Sequence, residues 1–233
     1  MHLRSHSPIL YFGTPVVLIS SQNPDGTTNL APISSIFWLG WRAVIGIGAA
    51  SQTAQNIRRT GECVLNLACV DLLDAINRLA LTTGVAELSE WKRQQGYQYV
   101  ADKFSHAGLS RQASCSVAPA RVAEAKVQQE AVLVKSDLIS ADTPGNGMIW
   151  DMELRITALH IAPELSLHGN PDRINPDAWP ALMMSFQKFY SMSRCDTTSR
   201  LAGIDENAYA GADLSRARRA QKERYDSVLA TRR

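Results

Sequence analysis

The sequence predicts a mostly β protein, an antiparallel barrel with a few helices inserted between its strands. Four strand-like segments precede the first helical pattern, and two long strand-like segments follow the last inserted helix. The chain lacks the regular strand–helix alternation of a doubly wound parallel sheet. Its 233 residues are 45% hydrophobic and 20% charged, which is a globular composition and excludes disorder as its main character.

The N-terminal part of the chain reads as successive strands. Residues 15–21 form a β-branched run, and the turn residues 23–26 (Asn-Pro-Asp-Gly) follow it, which is a hairpin signal. The strand pattern continues over residues 27–38 and, after a break at Gly40, over residues 42–48. We therefore expect these segments to form the first half of the barrel.

Helices are expected next. Ser51 is a good N-cap for a helix over about residues 53–60, and Gly61 is the residue type that commonly ends one. Residues 62–69 return to strand, and Asp71 caps a second helix that extends to about residue 81.

The rest of the chain returns to strands. Residues 89–108 have the pattern of a broken helix, and two long strands are predicted over residues 121–140 and 148–163, with a loop at residues 142–147 between them. Beyond the second of these strands we expect loop, with one short helix that opens at Pro176 and Asp177.

Charge separates a tail from the main domain. The chain has 24 basic and 22 acidic residues, of which residues 214–233 hold seven and two, so residues 1–213 keep 17 and 20, a net charge of about −3. This predicts one domain over residues 1–213 and a basic helical tail over residues 214–233. The negative main domain gives no electrostatic support for nucleic-acid binding. The tail is expected to be a solvated helix face or an arm on a partner subunit.

The lack of a recognisable targeting signal and the pattern of cysteines predict a reducing compartment. No run approaches the roughly 20 apolar residues of a membrane span, and the apolar stretch near the start is too short for a secretory signal, so we expect a cytoplasmic protein without a membrane partner. Cys63, Cys69, Cys115 and Cys195 form no CxxC pair and are expected to be reduced. Cys63 and Cys69 are predicted to be buried on one face of a strand.

One segment carries a chemical signal. Ser51, Thr53 and Asn56 cluster at the first turn of a predicted helix, where free N–H groups and the positive end of the helix dipole favour an anion. Thr53 and Asn56 share a helix face, and Arg58 or Arg59 could add charge, so this turn predicts a phosphate site. The alternative is that Ser51 only caps the helix and Asn56 is solvated.

The same segment also imitates a dinucleotide-binding fingerprint, because Gly46, Gly48 and Ser51 follow a strand as G-x-G-x-x-S and Asp71 ends the next strand. The serine in place of the third glycine and the preceding hairpin argue against it. Two glycines that alternate along one strand suit close backbone approach inside a barrel.

The histidines give no metal signal. None of the five has a spacing such as H-x-x-x-H, so no metal site is predicted from sequence. His106 is expected to make a surface hydrogen bond, and His160 is expected to be a satisfied barrel residue.

Three motifs resemble a known family. N-x-A-P-x-S begins at Asn29, S-x-T-x-x-N begins at Ser51, and T-G-E-x-V-x-N begins at Thr60; together with the segment 102–109 their order is similar to that of the flavin reductase-like, FMN-binding split-barrel family, which includes flavoredoxin. The resemblance covers about residues 10–190. The aromatic stretch 37–41 and the basic tail have no counterpart in the family pattern.

The resemblance implies a fold, a cofactor and a set of site residues. It implies a split barrel that holds FMN at a homodimer interface, with the phosphate at the start of the first helix. The residues implied to bind the phosphate are Ser51, Thr53 and Asn56; those whose backbone would meet the ring edge are Ala31, Pro32, Ile33 and Ser34; and those implied to approach the flavin are Asn29, Thr82, Thr83 and Lys103.

The implied activity is redox chemistry. In an NAD(P)H-dependent flavin reductase, hydride passes from the nicotinamide to the flavin, which itself carries the difficult chemistry, so no catalytic dyad is needed. Reduced flavin could then serve a flavin-dependent monooxygenase. The alternatives are an FMN-carrying electron-transfer protein that accepts electrons from a protein partner, and a structural barrel without a cofactor.

Overall fold

The computed structural model describes residues 2–139, 148–193 and 199–231. The strands in these residues are β1 (Thr14–Pro15), β2 (Val17–Gln22), β3 (Thr28–Ile33), β4 (Ile36–Leu39), β5 (Arg42–Gly48), β6 (Glu62–Leu67), β7 (Thr82–Thr83), β8 (Gln98–Tyr99), β9 (Arg111–Gln112), β10 (Arg121–Val122), β11 (Val127–Leu138), β12 (Ile149–Ile161), β13 (Ser166–Leu167), β14 (Asn170–Ile174), β15 (Leu182–Ser185) and β16 (Lys188–Ser191). The helices are α1 (Gln52–Thr60), α2 (Leu73–Leu79), α3 (Glu90–Gln94), α4 (Lys103–Ala107) and α5 (Ala212–Thr231). The predicted loop at residues 142–147 and Cys195 lie outside the described residues.

The main sheet is antiparallel and has seven strands in the order β3-β2-β6-β11-β12-β5-β4. Its edge strands β3 and β4 are separated along the chain only by Ser34 and Ser35, so the sheet must curl until its two edges meet at this corner. The Ser35 carbonyl there accepts a hydrogen bond from the Gly46 N–H at 2.9 Å. After β5 the chain passes through α1 and returns as β6 beside β2, a Greek-key-like connection. The predicted barrel with inserted helices is confirmed as an open, split form.

Both faces of β2 are buried, which ties the outer helices to the barrel. Val17 and Ile19 belong to the cluster inside the curled sheet, whereas Val16 and Leu18 belong to a second cluster outside it. The outer cluster contains residues of α2 and, from α4, the fully buried Phe104. Packing of the Phe104 side chain in this cluster therefore fixes the position of α4 relative to the sheet.

The prediction that Cys63 and Cys69 share a face is wrong, although both are buried and free. Cys63 lies inside the barrel, but β6 ends at Leu67 and Cys69 lies in the outer cluster, where it forms an isolated bridge with Ala181. Strand alternation predicts a common face only while the strand continues. Burial raises the pKa of the Cys63 thiol to about 12, as expected for a thiol that acts as a small hydrophobe.

The predicted helices are largely confirmed. Ser51 caps α1 by accepting a hydrogen bond from the Ala54 N–H at 3.1 Å, and Gly61 ends α1 with φ 74°. The second predicted helix begins as a 3₁₀ turn over Val70–Leu72 before α2, and Asp71 lies within this turn rather than capping the helix. The broken helix over residues 89–108 is α3, β8 and α4. Gly46 and Gly48 lie within the antiparallel strand β5, which excludes the dinucleotide-binding interpretation.

The region after β12 contains more strand than its sequence predicts. The expected short helix is a 3₁₀ turn over Pro176–Ala178, but the expected loop also includes β13 to β16. β15 pairs with both β1 and β16. These strands are too short to show an alternation of hydrophobic and polar residues in the sequence. Pairing with distant strands therefore stabilises them.

The tail is a single helix on the outer face of β12. Arg42 of β5 binds Asp213 near the start of α5, with 2.9 Å between Nε and Oδ2, and it also pairs with Glu153 of β12. Leu214 and Ala217 are half-buried along this contact, whereas the second half of α5 is exposed. Among the residues that the structure describes, no helix combines the length and hydropathy of a membrane span.

Candidate functional site

A buried amide and hydroxyl network fixes α1 to the β2–β3 hairpin. Asn29 of β3 donates from Nδ2 to the Thr53 hydroxyl at 2.9 Å. Asn56 donates from Nδ2 to Ser21 Oγ at 3.2 Å and to Asn23 Oδ1 at 2.9 Å. Because these polar atoms are buried, each hydrogen bond avoids the cost of leaving its partner unsatisfied. The network thus sets where the N-terminus of α1 lies relative to β3.

The structure buries both Thr53 and Asn56. Their exposed fractions are 2% and 0%, so the alternative of a solvated Asn56 is wrong. Asn56 Oδ1 also accepts from Gln52 Nε2 at 2.9 Å, so its amide is fully engaged. Direct binding of phosphate by these two side chains stays a prediction; their observed contacts position the helix.

The two arginines of α1 have partners of their own. The Arg58 guanidinium lies 4.0 Å from the ring centroid of Trp150. Arg59 donates to the main-chain carbonyl of Gln22. Neither contact adds charge at the start of α1, where the half-buried Ser51 and the first-turn N–H groups lie.

The segment of β7 and Gly84 lies directly against the start of α1. A Cβ on Gly84 would be 2.7 Å from Asn29 Oδ1 and 3.1 Å from Gln52 Cβ, so this close approach requires glycine. The neighbouring Thr83 is 4% exposed, and its hydroxyl accepts a hydrogen bond from Lys92 Nζ at 3.1 Å. The Thr82 hydroxyl donates to the Leu79 carbonyl at 2.9 Å. Contacts through Thr83 and Gly84 therefore connect Lys92 to the first turn of α1.

Lys103 is a largely buried lysine without a counter-charge among the described residues, although its Nζ is not fully enclosed. It is the first residue of α4 and is 3% exposed, and within the described ranges its ammonium has neither an ion-pair partner nor a hydrogen-bond partner. Burial, and then the nearby charge of Lys92, lower the pKa of Lys103 to about 8. The pKa of Lys92 is also lowered by burial. Two lysines thus approach each other although their charges repel.

The adjacent carboxylate does not neutralise this pair. Asp102 caps α4 by accepting from the Ser105 N–H at 3.2 Å, and it binds Arg111 with 2.6 Å between Oδ1 and Nη2. The pKa of Asp102 is lowered to about 2, mainly by the hydrogen bond from the Ser105 hydroxyl and further by the contacts with Arg111. An uncompensated buried ammonium is costly, so an external anion is the partner that would remove the penalty. Lys92, Lys103 and the Thr83 hydroxyl are groups that could bind a phosphate.

The strand β3, which contains Asn29, is the other candidate part of the site. β3 is an edge strand, and both α1 and α4 pack against it. Pro32 lacks an N–H and is tolerated at such an edge, where backbone groups on the outer side have no partner strand. The predicted ring-edge residues Ala31, Pro32, Ile33 and Ser34 are all half-buried there. The edge can therefore offer backbone donors and acceptors to a planar ring.

A cleft of about 200 Å³ lies between the β2–β3 hairpin turn, Gly84 and the segment before α4. Asn23 and Asp25 of the hairpin turn form one side, Tyr99 and Arg111 form the other, and Gly84 lies between them. The cleft thus lies beside the amide network and the segment that leads to Lys103.

The structure brings most of the predicted residues together and adds others. Asn29 contacts Thr53 directly, and Thr83 is linked to Lys103 through Lys92. Sequence reasoning missed Lys92 and Gly84. Lys92 lies in a polar stretch that is typical of a solvated helix, so nothing in the sequence distinguishes it, whereas the glycine of Thr-Thr-Gly was a usable signal of close backbone approach.

These features define a class: an open, split antiparallel barrel with inserted helices and two lysines close together beside its edge strand β3. The flavin reductase like domain matches residues 9–166, which is more than half of the chain. The chain therefore belongs to the flavin reductase-like family, as its motifs predicted.

Individual relatives agree with this assignment. The uncharacterized protein YdfE of Bacillus subtilis (strain 168) is 32% identical over 186 residues, covering 80% of this chain and 87% of YdfE. Flavoredoxin of Desulfovibrio vulgaris (Miyazaki F) is similar in structure with a TM-score of 0.68 at 15% identity, over 88% of this chain and 100% of that one. Nitrilotriacetate monooxygenase component B from Bacillus cereus gives a TM-score of 0.65 at 18% identity, over 82% of this chain and 89% of that one. The family supports a flavin-related oxidoreductase, and the structural likenesses support the split-barrel fold.

Proposed function

We propose that this protein is an FMN-binding oxidoreductase that oxidises NAD(P)H and passes the hydride to flavin. The observation that carries the proposal is the largely buried Lys103 of α4, which has no counter-charge among the described residues and lies close to Lys92 of α3, whose ammonium binds the Thr83 hydroxyl. A phosphate monoester carries up to two negative charges and would match two lysines. Family membership supports the flavin, and the basic site favours its phosphorylated form, FMN.

The residues of this chain would hold the cofactor at two ends. Lys103, Lys92 and the Thr83 hydroxyl would bind the phosphate together with the first-turn N–H groups of α1. The β3 edge over residues 31–34 would hold the ring through backbone groups, which can stabilise negative charge on its polar edge. When bound, the flavin supplies the two-electron chemistry, and the chain provides binding, orientation and electrostatics. No side chain of the site is assigned a catalytic role.

We also propose a homodimer that provides reduced flavin to a monooxygenase. Exposed apolar side chains on β4, Phe37 at 52% and Leu39 at 73%, support a subunit interface. One structurally similar protein is named as component B of a monooxygenase, which supports such a partner. Flavoredoxin supports the alternative of an electron-transfer protein without its own nicotinamide site.

Steady-state oxidation of NADH and NADPH tests the proposed reaction. The rate would be measured with FMN, FAD and riboflavin as acceptors, for the natural protein, Lys103→Met and Lys188→Met. Lys188 is an exposed lysine on β16 and is the matched control. We expect turnover with FMN, an increased KM for FMN in Lys103→Met alone, and little change with riboflavin.

The outcomes separate the candidate functions. Tight FMN binding without oxidation of either nicotinamide would support the electron-transfer protein. Neither FMN binding nor nicotinamide oxidation would contradict the proposal and leave a barrel without a flavin cofactor.

A further inference from the structure

Three side chains of metal-ligating type meet on the outer face of the barrel. They are Cys115, in the loop between β9 and β10, Glu130 of β11 and His160 of β12. Cys115 Sγ is 3.8 Å from His160 Nε2, and His160 Nε2 is 2.8 Å from Glu130 Oε1. All three ligand atoms lie within 4.8 Å of one another. None of these residues belongs to the proposed flavin site.

The strand register and the loop contacts organise this cluster in advance. In the β11–β12 pair, Gln128 is opposite His160 and Glu130 is opposite Ala158, so Glu130 and His160 are diagonal neighbours on one face. Glu130 is fully buried and accepts from the Cys115 N–H at 2.9 Å and from the Ser116 hydroxyl at 2.6 Å. The carboxylate therefore fixes the loop backbone that places the Cys115 thiol beside His160.

One nitrogen atom of His160, Nε2, faces both the Cys115 thiol and the Glu130 carboxylate. His160 Nε2 is the imidazole atom closest to the thiol and also to the carboxylate. It carries either one proton or one lone pair, so it can donate to Glu130 or accept from Cys115, but not both at once. A cation between the three groups would instead receive electron pairs from all of them.

We propose that Cys115, Glu130 and His160 bind a zinc-type divalent transition-metal ion. Sulfur, imidazole nitrogen and carboxylate oxygen are the ligands that zinc takes, and bonds of about 2.0 to 2.3 Å in a tetrahedron separate ligand atoms by roughly 3.3 to 3.7 Å. The sulfur–nitrogen separation of 3.8 Å is just above this range, the nitrogen–oxygen separation of 2.8 Å must widen by less than about 1 Å, and the sulfur–oxygen separation is within 4.8 Å. Cys115 is exposed and the His160 side chain is 29% exposed, so water can occupy the fourth position.

The ligands are 15 and 30 residues apart along the chain, which explains why no histidine spacing reveals the site. The tail helix is adjacent to it, because Arg224 of α5 donates to the Cys115 carbonyl. A metal bound here would link the loop at residues 113–120 to β11 and β12 next to the tail. The proposal does not depend on flavin binding.

Metal titration of the full-length protein tests the site. Isothermal titration with Zn²⁺ gives stoichiometry and affinity, and a Co²⁺ difference spectrum against Cys115→Ser at equal flavin content reports thiolate coordination. We expect one ion per chain, a thiolate-to-cobalt band that Cys115→Ser abolishes, and an affinity loss of about tenfold or more in His160→Gln. His106→Gln, an exposed histidine outside the cluster, is the matched control and should bind as the natural protein does.

Two results would overturn the proposal. Equal Zn²⁺ affinity in the natural protein, Cys115→Ser and His160→Gln would place any bound metal elsewhere. If the natural protein is folded by circular dichroism and binds no Zn²⁺, the three residues form only a hydrogen-bonded cluster. Because each of the two variants removes one ligand separately, a folding failure in one leaves the other as a test.

Discussion

At the scale of single residues, the proposed phosphate site depends on Lys103. The family resemblance pointed to this lysine, but its sequence context, Asp-Lys-Phe at a helix start, is equally typical of an exposed side chain. Its burial depends on Phe104, which is drawn into the outer hydrophobic cluster and takes the start of α4 with it. Pattern reasoning can therefore identify the residue but not the missing counter-charge, which depends on every element that surrounds it.

Lys103→Met should stabilise the flavin-free protein. The substitution removes a buried charge without a partner and keeps a side chain of similar length, so we expect the free energy of unfolding to rise by about 1 kcal/mol or more. Denaturant unfolding at pH 7 measures this change, with Lys188→Met expected to lie within about 0.5 kcal/mol of the natural protein. A clear loss of stability would indicate that Lys103 has a favourable partner in the folded chain.

The affinity for FMN should fall as pH rises above about 8. The pKa of Lys103 is lowered from 10.5 to about 8, so the unpaired ammonium destabilises the flavin-free fold below pH 8, and this penalty disappears between pH 8 and 10.5. A bound phosphate favours the charged form, so FMN binds best where Lys103 is already protonated. Equilibrium titration at pH 7, 8 and 9 should show a loss of up to about fivefold over the last step. Riboflavin affinity should stay nearly constant, and a parallel decline would contradict the assignment.

At the scale of elements, α1 shows both what the sequence predicts and what it leaves open. The cap at Ser51 and the stop at Gly61 were predictable because each is a local backbone requirement. The roles of Thr53 and Asn56 were not, because their partners Asn29, Ser21 and Asn23 come from a hairpin more than 20 residues away. An amide at a helix start looks the same in sequence whether it faces a ligand or a neighbouring strand.

Asn56→Ala should destabilise the fold rather than only weaken the ligand. The change leaves Ser21, Asn23 and Gln52 without their shared partner, so we expect the free energy of unfolding to fall by about 1 to 3 kcal/mol. Gln55→Ala, at an exposed position of the same helix, is the control and should change stability little. If Asn56→Ala keeps full stability and loses only FMN affinity, Asn56 binds the phosphate directly.

Removal of α5 should cost stability without altering flavin affinity. A chain that ends at Gly211 loses the ion pair between Arg42 and Asp213, but none of the contacts of α5 described above involves Lys92 or Lys103. Thermal unfolding should shift to lower temperature, while the FMN dissociation constant should stay within about twofold. A large loss of affinity would show that the tail acts as a cover of the flavin site instead.

At the scale of the whole molecule, the order of the strands along the chain could be predicted from the sequence. Which strands pair with each other could be predicted only in part. The β2–β3 hairpin and the long pair β11–β12 follow from local turn and strand patterns. The short strand β15, which joins β1 to β16, depends on pairing across most of the chain and gives no local signal. The Cys69 bridge, likewise, exists only because that region folds back onto the end of β6.

The exposed aromatic and aliphatic side chains of β4 predict a homodimer. Phe37 and Leu39 lie at an edge of the main sheet, where a second copy could cover both the apolar surface and the strand edge. Sedimentation at low micromolar concentration should give a dimer, and Phe37→Asp with Leu39→Asp should give monomers. A natural protein that is monomeric and still binds FMN tightly would show that the interface is not part of the site.

The most direct test compares FMN with riboflavin, which differ only in the phosphate. Fluorescence titrations would be made with the natural protein, Lys103→Met and the control Lys188→Met. A phosphate held by Lys103 predicts that the natural protein and the control prefer FMN by about tenfold or more, and that Lys103→Met loses this preference by weakening FMN alone. Equal affinity of the natural protein for both flavins, or an undiminished preference for FMN in Lys103→Met, would contradict the proposed site.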